Sequence, residues 1–347
     1  MRIWLYLLLF LAFAATAAAQ HKDYVTTDSL ARTKKYNGDL RLLVSQLTEG
    51  YIDDTHKARA IFAWVTDNIA YDYKAFNKKK HYKMPKCKKG EDCLKIVADW
   101  KEDYTNKVLR SGKSVCDGYA WLFKRMCDYA GLQTDFVGGY TKHSPDDVGR
   151  MGSLNHAWNG IILDGKYYYL DVTWASGTCS KNRKGKLDGF QKDFDDFYWL
   201  TPIEKFSIDH YPKDAESPGV ANYPMQKYRD NPFIKKYTIP DITIFEPESG
   251  VIQARVGQVI NISFTCAYND IEDISISDNV YPLKTLTDKH TPANKTLDYS
   301  YEPVYSPFWK IGDVYTIQYT VTNKNLRYIE VYLGYSLLIK FKVKVIK

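Results

Sequence analysis

The sequence has 347 residues, of which 45% are hydrophobic and 26% charged, a balance typical of a globular protein and too apolar for a disordered chain. Its length favours two domains over one, and a chain of this size can bury a core without using its six cysteines as a scaffold. The formal net charge of +7 comes largely from one lysine-rich stretch rather than from a basic face, so we predict no nucleic-acid partner.

The chain begins with a pattern typical of a secretory signal peptide. Arg2 precedes an apolar run over residues 3–14, and Ala17-Ala18-Ala19 offers a small-residue cleavage site. We therefore predict a signal peptide over residues 1–19 and a mature protein exported to the periplasm or the extracellular space. The apolar run is short for a membrane span, so no integral membrane segment is expected after its removal. An uncleaved signal anchor is the alternative.

Two amphipathic helices are predicted next. The first covers residues 40–47 within an otherwise polar stretch, and the second covers residues 57–70. In the second helix apolar side chains recur at helical spacing on one face, and Asp53 and Thr55 are both suitable N-cap residues.

A lysine-rich segment follows at residues 78–95, where eight lysines are accompanied by only Glu91 and Asp92 as acidic residues. Two interpretations remain open, a solvated surface insertion and a docking patch for an acidic surface polymer. Cys87 and Cys93 lie within this segment, and in an oxidising compartment they could form a disulfide. We expect removal of that disulfide to change activity little.

A third helix and three strands are predicted in the next sixty residues. The helix begins around Cys116 and ends at Gly131. The strands are predicted at residues 134–141, 156–163 and 166–174. Between the last two strands, Asp164-Gly165 is typical of a two-residue hairpin turn. Residues 175–192 are predicted to form a polar loop.

From residue 241 onward the apolar side chains alternate at period two, with turn residues between the runs. A segment of this length, residues 241–347, fits an immunoglobulin-like β-sandwich. Residues 213–240 are rich in proline, asparagine and charge and are predicted to be a linker or strap. Residues 20–212 remain as an α+β domain in which helices pack on an antiparallel sheet.

Cys116 is predicted to lie at the start of a helix, where unpaired backbone N–H groups and the helix dipole favour the thiolate form of a cysteine. Cys127 falls on the apolar face of the same helix and is expected to be a core residue. A cysteine at a helix start does not by itself make a catalytic site, because a base is needed beside it.

The predicted hairpin can supply this base. If Asp164-Gly165 is a two-residue turn, His156 pairs with Thr173, and Asp171 is its diagonal neighbour on the same face of the sheet. The imidazole and the carboxylate would then be within reach, as the base and orienting acid of a Cys-His-Asp triad must be. A structural hairpin histidine is the alternative, and a register slip of one residue would remove the pairing. We expect no comparable partner for any other histidine.

Three blocks around these residues resemble the core blocks of the transglutaminase-like superfamily, in particular its bacterial kyphoscoliosis-peptidase-type members. The blocks are Lys113-Ser-Val-Cys-Asp-Gly-Tyr-Ala120, Leu154-Asn-His-Ala-Trp-Asn159 and Tyr169-Leu-Asp-Val-Thr-Trp174. Residues 60–71 and the segment around His210-Tyr-Pro212 are also similar, so the resemblance covers residues 57–212 in order.

This resemblance implies a papain-like core and acyl transfer from amide bonds of proteins or peptides, by hydrolysis, deamidation or cross-linking to an amine. Cys116 is then the nucleophile, His156 the base and Asp171 the orienting acid. Hydrolysis is the default among the three, because it needs only access of solvent. The second oxyanion donor is not identified by the resemblance. The aromatic candidates are Tyr71, Tyr73, Trp100 and Tyr119.

We therefore predict an exported cysteine peptidase or related amide acyltransferase that needs no cofactor and no metal ion. The rival prediction is a non-catalytic binding or adhesion protein with the same fold, in which the β-sandwich is the docking module. A redox protein would need a Cys-x-x-Cys motif, which the sequence lacks. Replacing Cys116 by alanine separates the first two functions, since binding would survive and turnover would not.

Overall fold

The structure is a computed structural model that describes residues 24–79, 82–214, 216–220, 222–267, 274–278, 308–334 and 336–347. The predicted signal peptide, residues 1–19, lies outside the described residues. Within the described part of the chain, no helix combines the length and the apolar character that a membrane crossing requires. Helices and sheets are mixed, as the α+β prediction expects.

The described helices are concentrated in the first 130 residues. Their bounds are α1 Val25–Thr33, α2 Leu40–Thr48, α3 Asp54–Asn68, α4 Tyr73–Asn77, α5 Cys93–Ser111, α6 Cys116–Tyr129, α7 Val172–Ser176, α8 Ile203–Phe206 and α9 Met225–Asp230. Short 3-10 turns cover Pro145–Asp147, Asp196–Tyr198, Pro218–Val220 and Lys236–Thr238. The helices α2, α3 and α6 confirm the three predicted from hydrophobic spacing.

The described strands begin as short pairs and lengthen toward the C-terminus. Their bounds are β1 Ala70–Tyr71, β2 Lys113–Ser114, β3 Thr134–Thr141, β4 His156–Leu163, β5 Lys166–Leu170, β6 Gly177–Lys181, β7 Leu187–Lys192, β8 His210–Pro212, β9 Phe233–Ile234, β10 Ile242–Glu246, β11 Val251–Ala254, β12 Val259–Cys266, β13 Ile274–Asp278, β14 Phe308–Ile311, β15 Val314–Thr320, β16 Tyr328–Leu333 and β17 Ser336–Val345. One four-stranded sheet has the order β5-β4-β3-β8, and β1-β2 and β6-β7 are separate pairs.

Aspartate side chains determine where several of these helices begin, among them α2, α3 and α5. The carboxylates of Asp39, Asp53 and Asp92 each accept a hydrogen bond from a backbone N–H group in the first turn of α2, α3 and α5, at 3.0, 3.0 and 3.1 Å. Each carboxylate satisfies a backbone donor that has no partner within its helix. Of the two N-caps considered for the second predicted helix, Asp53 is therefore the cap.

Helix α5 is the one long helix that sequence patterns did not predict. Only Tyr104, Thr105, Val108 and Leu109 are buried along its 19 residues, so its apolar face is confined to the C-terminal half. The N-terminal half is mostly exposed and continues the lysine-rich composition of the preceding segment. Because a narrow apolar face produces a weak periodic signal, the helix was not apparent from the sequence.

The first of two compact units comprises residues up to 136 together with residues 158–166 and 170–199. Its core is α3, which packs against α1, α2, α6 and α7. Residues 60–65 of α3 are all buried, so this helix is surrounded rather than lying on one side of a core. Arg59 is also buried there, and its guanidinium forms two 2.7 Å hydrogen bonds to the carboxylate of Asp28 on α1.

The turn between β4 and β5 confirms the predicted hairpin, but β5 is shorter than expected. Asp164 and Gly165 both have positive φ, 51° and 72°, as a two-residue type I′ turn requires. The strand ends at Leu170, whereas the prediction extended it to residue 174. The physical reason is Asp171, whose carboxylate caps α7 and turns the chain from a strand into a helix.

Residues 175–192 were predicted to be a polar loop, and this prediction is wrong. They contain an antiparallel hairpin of β6 and β7, in which Thr178 pairs with Gln191 and Lys181 with Leu187. No residue of either strand is buried, so neither strand has a fully apolar face. A hairpin without a buried face lacks the period-two hydrophobic pattern by which strands are recognised in a sequence.

The second unit comprises residues 137–157, 167–169 and 200–347, and most of its described strands form two sheets. One has the order β10-β12-β15-β14, and the other has the order β11-β17-β16-β13 with β9 also paired to β17. Tyr319 in the first sheet donates a 2.8 Å hydrogen bond to Asp278 in the second. These strands agree with the alternating pattern after residue 241, while the immunoglobulin-like class of the sandwich stays a prediction.

Residues 213–240, the predicted linker, contain the helix α9 and the strand β9. Ile234 of β9 pairs with Ile339 of β17, and both side chains are buried. Tyr228 of α9 is completely buried as well. This stretch therefore contributes to the core of the second unit.

Candidate active site

Cys116 is the first residue of α6, and its half-buried thiol forms no disulfide. The N-cap residue, Val115, provides no side-chain hydrogen bond to the helix. Asp117 in the first turn accepts a 2.8 Å hydrogen bond from the N–H group of Gly118. The thiol therefore lies at the positive end of a 14-residue helix without a side-chain N-cap, where the sequence predicted it.

Two short parallel strands position the start of this helix. Tyr71 of β1 pairs with Ser114 of β2, and the N–H group of Asp72 donates a 2.8 Å hydrogen bond to the Ser114 carbonyl oxygen. Gly118 packs against the same strand, because a Cβ at this residue would lie 1.9 Å from Ser114 Oγ and 2.9 Å from Val108 Cγ2. The close packing fixes the first turn of α6 and with it the position of Cys116.

Three tyrosines lie near the start of α6, and their hydroxyl groups differ in their hydrogen-bond acceptors. Tyr104 donates a 2.5 Å hydrogen bond to Asp117, and Tyr119 donates a 2.6 Å hydrogen bond to the Ile69 carbonyl oxygen. The hydroxyl of Tyr71 makes no hydrogen bond to the described residues. Burial raises the pKa of Tyr71, and the adjacent Cys116 thiol raises it further, so its hydroxyl keeps its proton.

These contacts separate the four candidates for a second oxyanion donor. The Tyr119 hydroxyl already donates its hydrogen bond to a backbone carbonyl oxygen. The Nε1 atom of Trp100 is buried, and the Trp100 ring stacks on Tyr82. Tyr73 is half-buried on α4. Tyr71 lies beside Cys116, with a hydroxyl that makes no hydrogen bond to the described residues.

Asp171 is fully buried and is the N-cap of α7. Its Oδ1 accepts hydrogen bonds from the N–H groups of Thr173, at 2.8 Å, and Trp174, at 3.0 Å. The predicted pairing of His156 with Thr173 is therefore wrong, because Thr173 belongs to a helix and not to β5. The capping bonds instead hold the Asp171 carboxylate in one orientation.

His156 and Asp171 are nevertheless close together. Their potential ligand atoms, and those of His210, all lie within 4.8 Å of one another. His156 is half-buried, whereas Asp171 and His210 are completely buried. Imidazole nitrogens and a carboxylate oxygen are atoms that can hold a metal ion, and the same set can relay or hold a proton.

His210 is a member of this cluster that sequence reasoning missed. It lies on β8, where it pairs with Thr141 of β3, and its ring stacks on Phe206 at 4.2 Å. Its Nδ1 is 2.5 Å from the buried carboxylate of Asp209. The expectation that no other histidine has a comparable partner is therefore wrong. The resemblance around His210-Tyr-Pro212 was the available signal, but strand pairing decided the position.

A third histidine lies near the other two. His143 Nε2 is 2.8 Å from the hydroxyl of Thr141. Burial lowers the pKa of His143 to about 4, and the neighbouring His156 and His210 lower it as well. His143 is therefore neutral at physiological pH and adds no charge beside His156.

As predicted, some of the described cysteines form a disulfide and others are free thiols. Cys87 and Cys93 form the expected disulfide. Cys127 is buried on α6, where burial raises the pKa of its thiol. Cys179 on β6 is half-buried, and burial raises its pKa to about 11.

The comparison with family models agrees with this geometry. Residues 41–172 match the model of the transglutaminase-like superfamily, a range that contains Cys116, His156 and Asp171. The chain therefore carries a transglutaminase-like domain. The particular relatives below are animal proteins, so the bacterial subgroup of the resemblance stays a prediction.

Among individual proteins, the chain is 32% identical over 187 residues to the kyphoscoliosis peptidase of Mus musculus, covering 53% of this chain and 25% of that protein. It is 27% identical over 183 residues to Hillarin of Drosophila melanogaster, covering 50% of this chain and 20% of that protein. The aligned part thus spans about a quarter of these relatives' length. A crystal structure of a TGase aligns at 17% identity and a TM-score of 0.27, covering 51% of this chain and 40% of that chain.

Proposed function

We propose that this chain is an exported cysteine peptidase that cleaves amide bonds in proteins or peptides, with Cys116 as nucleophile, His156 as base and Asp171 as orienting acid. The observation that carries the proposal is the approach of His156 and Asp171 to within 4.8 Å. An imidazole beside a buried carboxylate is the base that a cysteine nucleophile needs. The relative named kyphoscoliosis peptidase favours hydrolysis over the other acyl transfers.

In this mechanism His156 takes the proton of the Cys116 thiol, and the sulfur attacks the amide carbonyl carbon. The C–N bond then breaks as protonated His156 gives its proton to the leaving amine. The acyl group remains on Cys116 as a thioester. His156 then removes a proton from water, and the hydroxide attacks the thioester. The carboxylic acid product leaves, and the thiol recovers its proton from His156.

The negative oxygen formed in each step needs two donors. The backbone N–H group of Cys116 is one, and we assign the Tyr71 hydroxyl as the other. Support comes from its raised pKa and from the pairing of Tyr71 with Ser114, two residues before the nucleophile. The substitution Tyr71→Phe should lower kcat with little change in KM, because the bond forms mainly in the transition state.

Export is the second part of the proposal. The apolar start of the sequence and the Cys87–Cys93 disulfide both fit a protein of an oxidising compartment. Expression of the full chain in a bacterium, followed by N-terminal sequencing of the periplasmic form, tests this. We expect mature protein beginning at Gln20, and uncleaved protein confined to the cytoplasm would contradict export.

The reaction is tested with a peptide library and mass spectrometry. Hydrolysis gives two products whose combined mass exceeds the substrate by one water, deamidation converts Gln or Asn to an acid, and cross-linking releases ammonia. We expect hydrolysis, abolished by Cys116→Ala and retained by Cys127→Ala, which removes a buried thiol outside the proposed triad. If Cys116→Ala leaves turnover unchanged, the proposal is wrong. Peptide binding without turnover by the wild type would favour the rival binding function.

Labelling by iodoacetamide tests the nucleophile without a substrate. We expect Cys116 to be labelled faster in the wild type than in His156→Ala at the same pH, because the imidazole can take up the thiol proton. Cys127, which is fully buried, should remain unlabelled in the folded protein. Reaction of Cys116 as an ordinary thiol in both variants would contradict its activation by His156.

A further inference from the structure

The lysine-rich segment carries positive charges that the described residues do not neutralise. Lys83, Lys86, Lys88 and Lys89 are all exposed, and within the described part of the chain none of their ammonium groups has an acidic partner. The two acidic residues of the segment bind backbone instead: Glu91 accepts a 2.8 Å hydrogen bond from the Lys88 N–H group, and Asp92 caps α5.

The C-terminal part of the segment, from Cys87 onward, is also conformationally constrained. The Cys87–Cys93 disulfide closes a loop of seven residues, and Cys93 is the first residue of α5, so the loop is fixed to a 19-residue helix. A constrained loop loses less conformational entropy when it binds a partner than a flexible one does. Lys88 and Lys89 therefore lie on a preorganised loop, and Lys86 directly precedes it.

Two contacts connect this surface to the residue next to the nucleophile. The ring of Tyr82, at the start of the basic run, stacks on Tyr104 with centroids 4.6 Å apart. Tyr104 in turn donates its 2.5 Å hydrogen bond to Asp117, which directly follows Cys116. The ammonium group of Lys107, on α5, lies 4.6 Å from the Tyr82 ring centroid, so a cation–π contact stabilises the stacked rings.

We propose that Lys83, Lys86, Lys88 and Lys89 form a substrate-binding surface that selects proteins with an acidic segment near the bond to be cleaved. This inference rests on the proposed function, since it names the substrate class of the same site. A peptide fits better than an acidic carbohydrate polymer, because the surface also exposes apolar side chains. Leu94 is 87% exposed and Met84 49%, which suits acidic residues interspersed with apolar ones.

The test measures binding in a Cys116→Ala background, so that it does not depend on turnover. One labelled peptide alternates glutamate with leucine, and its control carries glutamine in place of every glutamate. We expect the acidic peptide to bind about tenfold more tightly or better, and the difference to shrink at about 0.5 M salt, where charges are screened within a few ångströms. Equal affinity for the two peptides would overturn the proposal.

A matched pair of variants locates the effect. Replacing Lys83, Lys86, Lys88 and Lys89 by serine should abolish the preference for the acidic peptide. Replacing four other exposed lysines, Lys35, Lys213, Lys324 and Lys344, changes net charge equally and should preserve it. If both variants lose the preference, only net charge matters, and the proposal is wrong. The proposal is also wrong if an anionic polysaccharide binds more tightly than the acidic peptide. Acidic-peptide binding by a chain that never cleaves would instead reject the peptidase assignment alone.

Discussion

The side-chain amide of Asn159 donates a 3.0 Å hydrogen bond to the carbonyl oxygen of Ala120, joining β4 to the helix that begins at Cys116. The same nitrogen donates a 3.1 Å hydrogen bond to the carbonyl oxygen of Asp135 on β3. Asn159 is completely buried, so its amide makes both hydrogen bonds out of contact with solvent.

Replacing Asn159 by leucine should therefore destabilise the protein. The change removes both hydrogen bonds, at a cost of about 0.5–1.5 kcal/mol for each. Urea unfolding measures the loss. Asn325→Leu, at an exposed residue whose side chain makes no described contact, is the control and should change stability little. Equal stability of the Asn159 variant and the wild type would mean that this amide does not tie the elements together.

Two substitutions of Asp171 separate its capping role from its proposed catalytic role. Asp171→Asn keeps a side-chain oxygen for the N–H groups of Thr173 and Trp174, and asparagine caps helices about as well as aspartate. We expect this variant to keep most of its stability but to lose activity by orders of magnitude, because no charge holds the protonated His156.

Asp171→Ala should lose the cap as well, at a further cost of about 0.5–2 kcal/mol in unfolding free energy. Urea unfolding and peptide turnover, measured on both variants, give the two readouts. A fully active Asp171→Asn enzyme would show that this carboxylate is only a helix cap.

Gly118→Ala should displace the start of α6. Its new Cβ would lie 1.9 Å from Ser114 Oγ, 2.8 Å from Ser114 Cβ and 2.9 Å from Val108 Cγ2, so the helix and β2 must separate. Overpacking of this kind costs about 1–3 kcal/mol, and we expect a lower melting temperature together with slower labelling of Cys116. The double variant Ser114→Ala/Gly118→Ala removes the closest atom and should recover part of the stability. No recovery would place the strain elsewhere.

The stability of the second unit should depend on pH through Lys142. Burial lowers the pKa of Lys142 to about 7, although the carboxylates of Asp147, Asp230 and Asp209 raise it. An unfolded lysine titrates near pH 10.4, so between about pH 7 and 10 the unfolded chain binds more protons than the folded chain. The contribution of Lys142 to the free energy of unfolding therefore rises with pH in this window, and it is constant below it.

Lys142→Met should flatten this rise, measured by urea unfolding at several pH values between about 7 and 10. The exposed Lys213→Met is the matched control and should keep the wild-type slope. Identical slopes for all three proteins would mean that Lys142 remains charged throughout the window.

Local features were predictable where one short segment carries the whole signal. The helix starting at Cys116 follows from apolar spacing, and the turn at Asp164-Gly165 follows from two residues that tolerate positive φ. The approach of His156 to Asp171 was also anticipated, but for an incorrect reason. The prediction placed Asp171 within an extended strand, whereas it ends the strand and caps α7.

The sequence by itself therefore determined the helix that presents Cys116, the strand that begins at His156 and the resemblance that joins them to Asp171. Only the tertiary structure added His210 to the cluster, because that residue reaches it through the pairing of β8 with β3. Likewise, only the fold linked the lysine-rich segment to Asp117, through the ring and hydroxyl of Tyr104. Such contacts connect residues far apart in the chain and produce no periodic pattern, so the folded chain alone determines them.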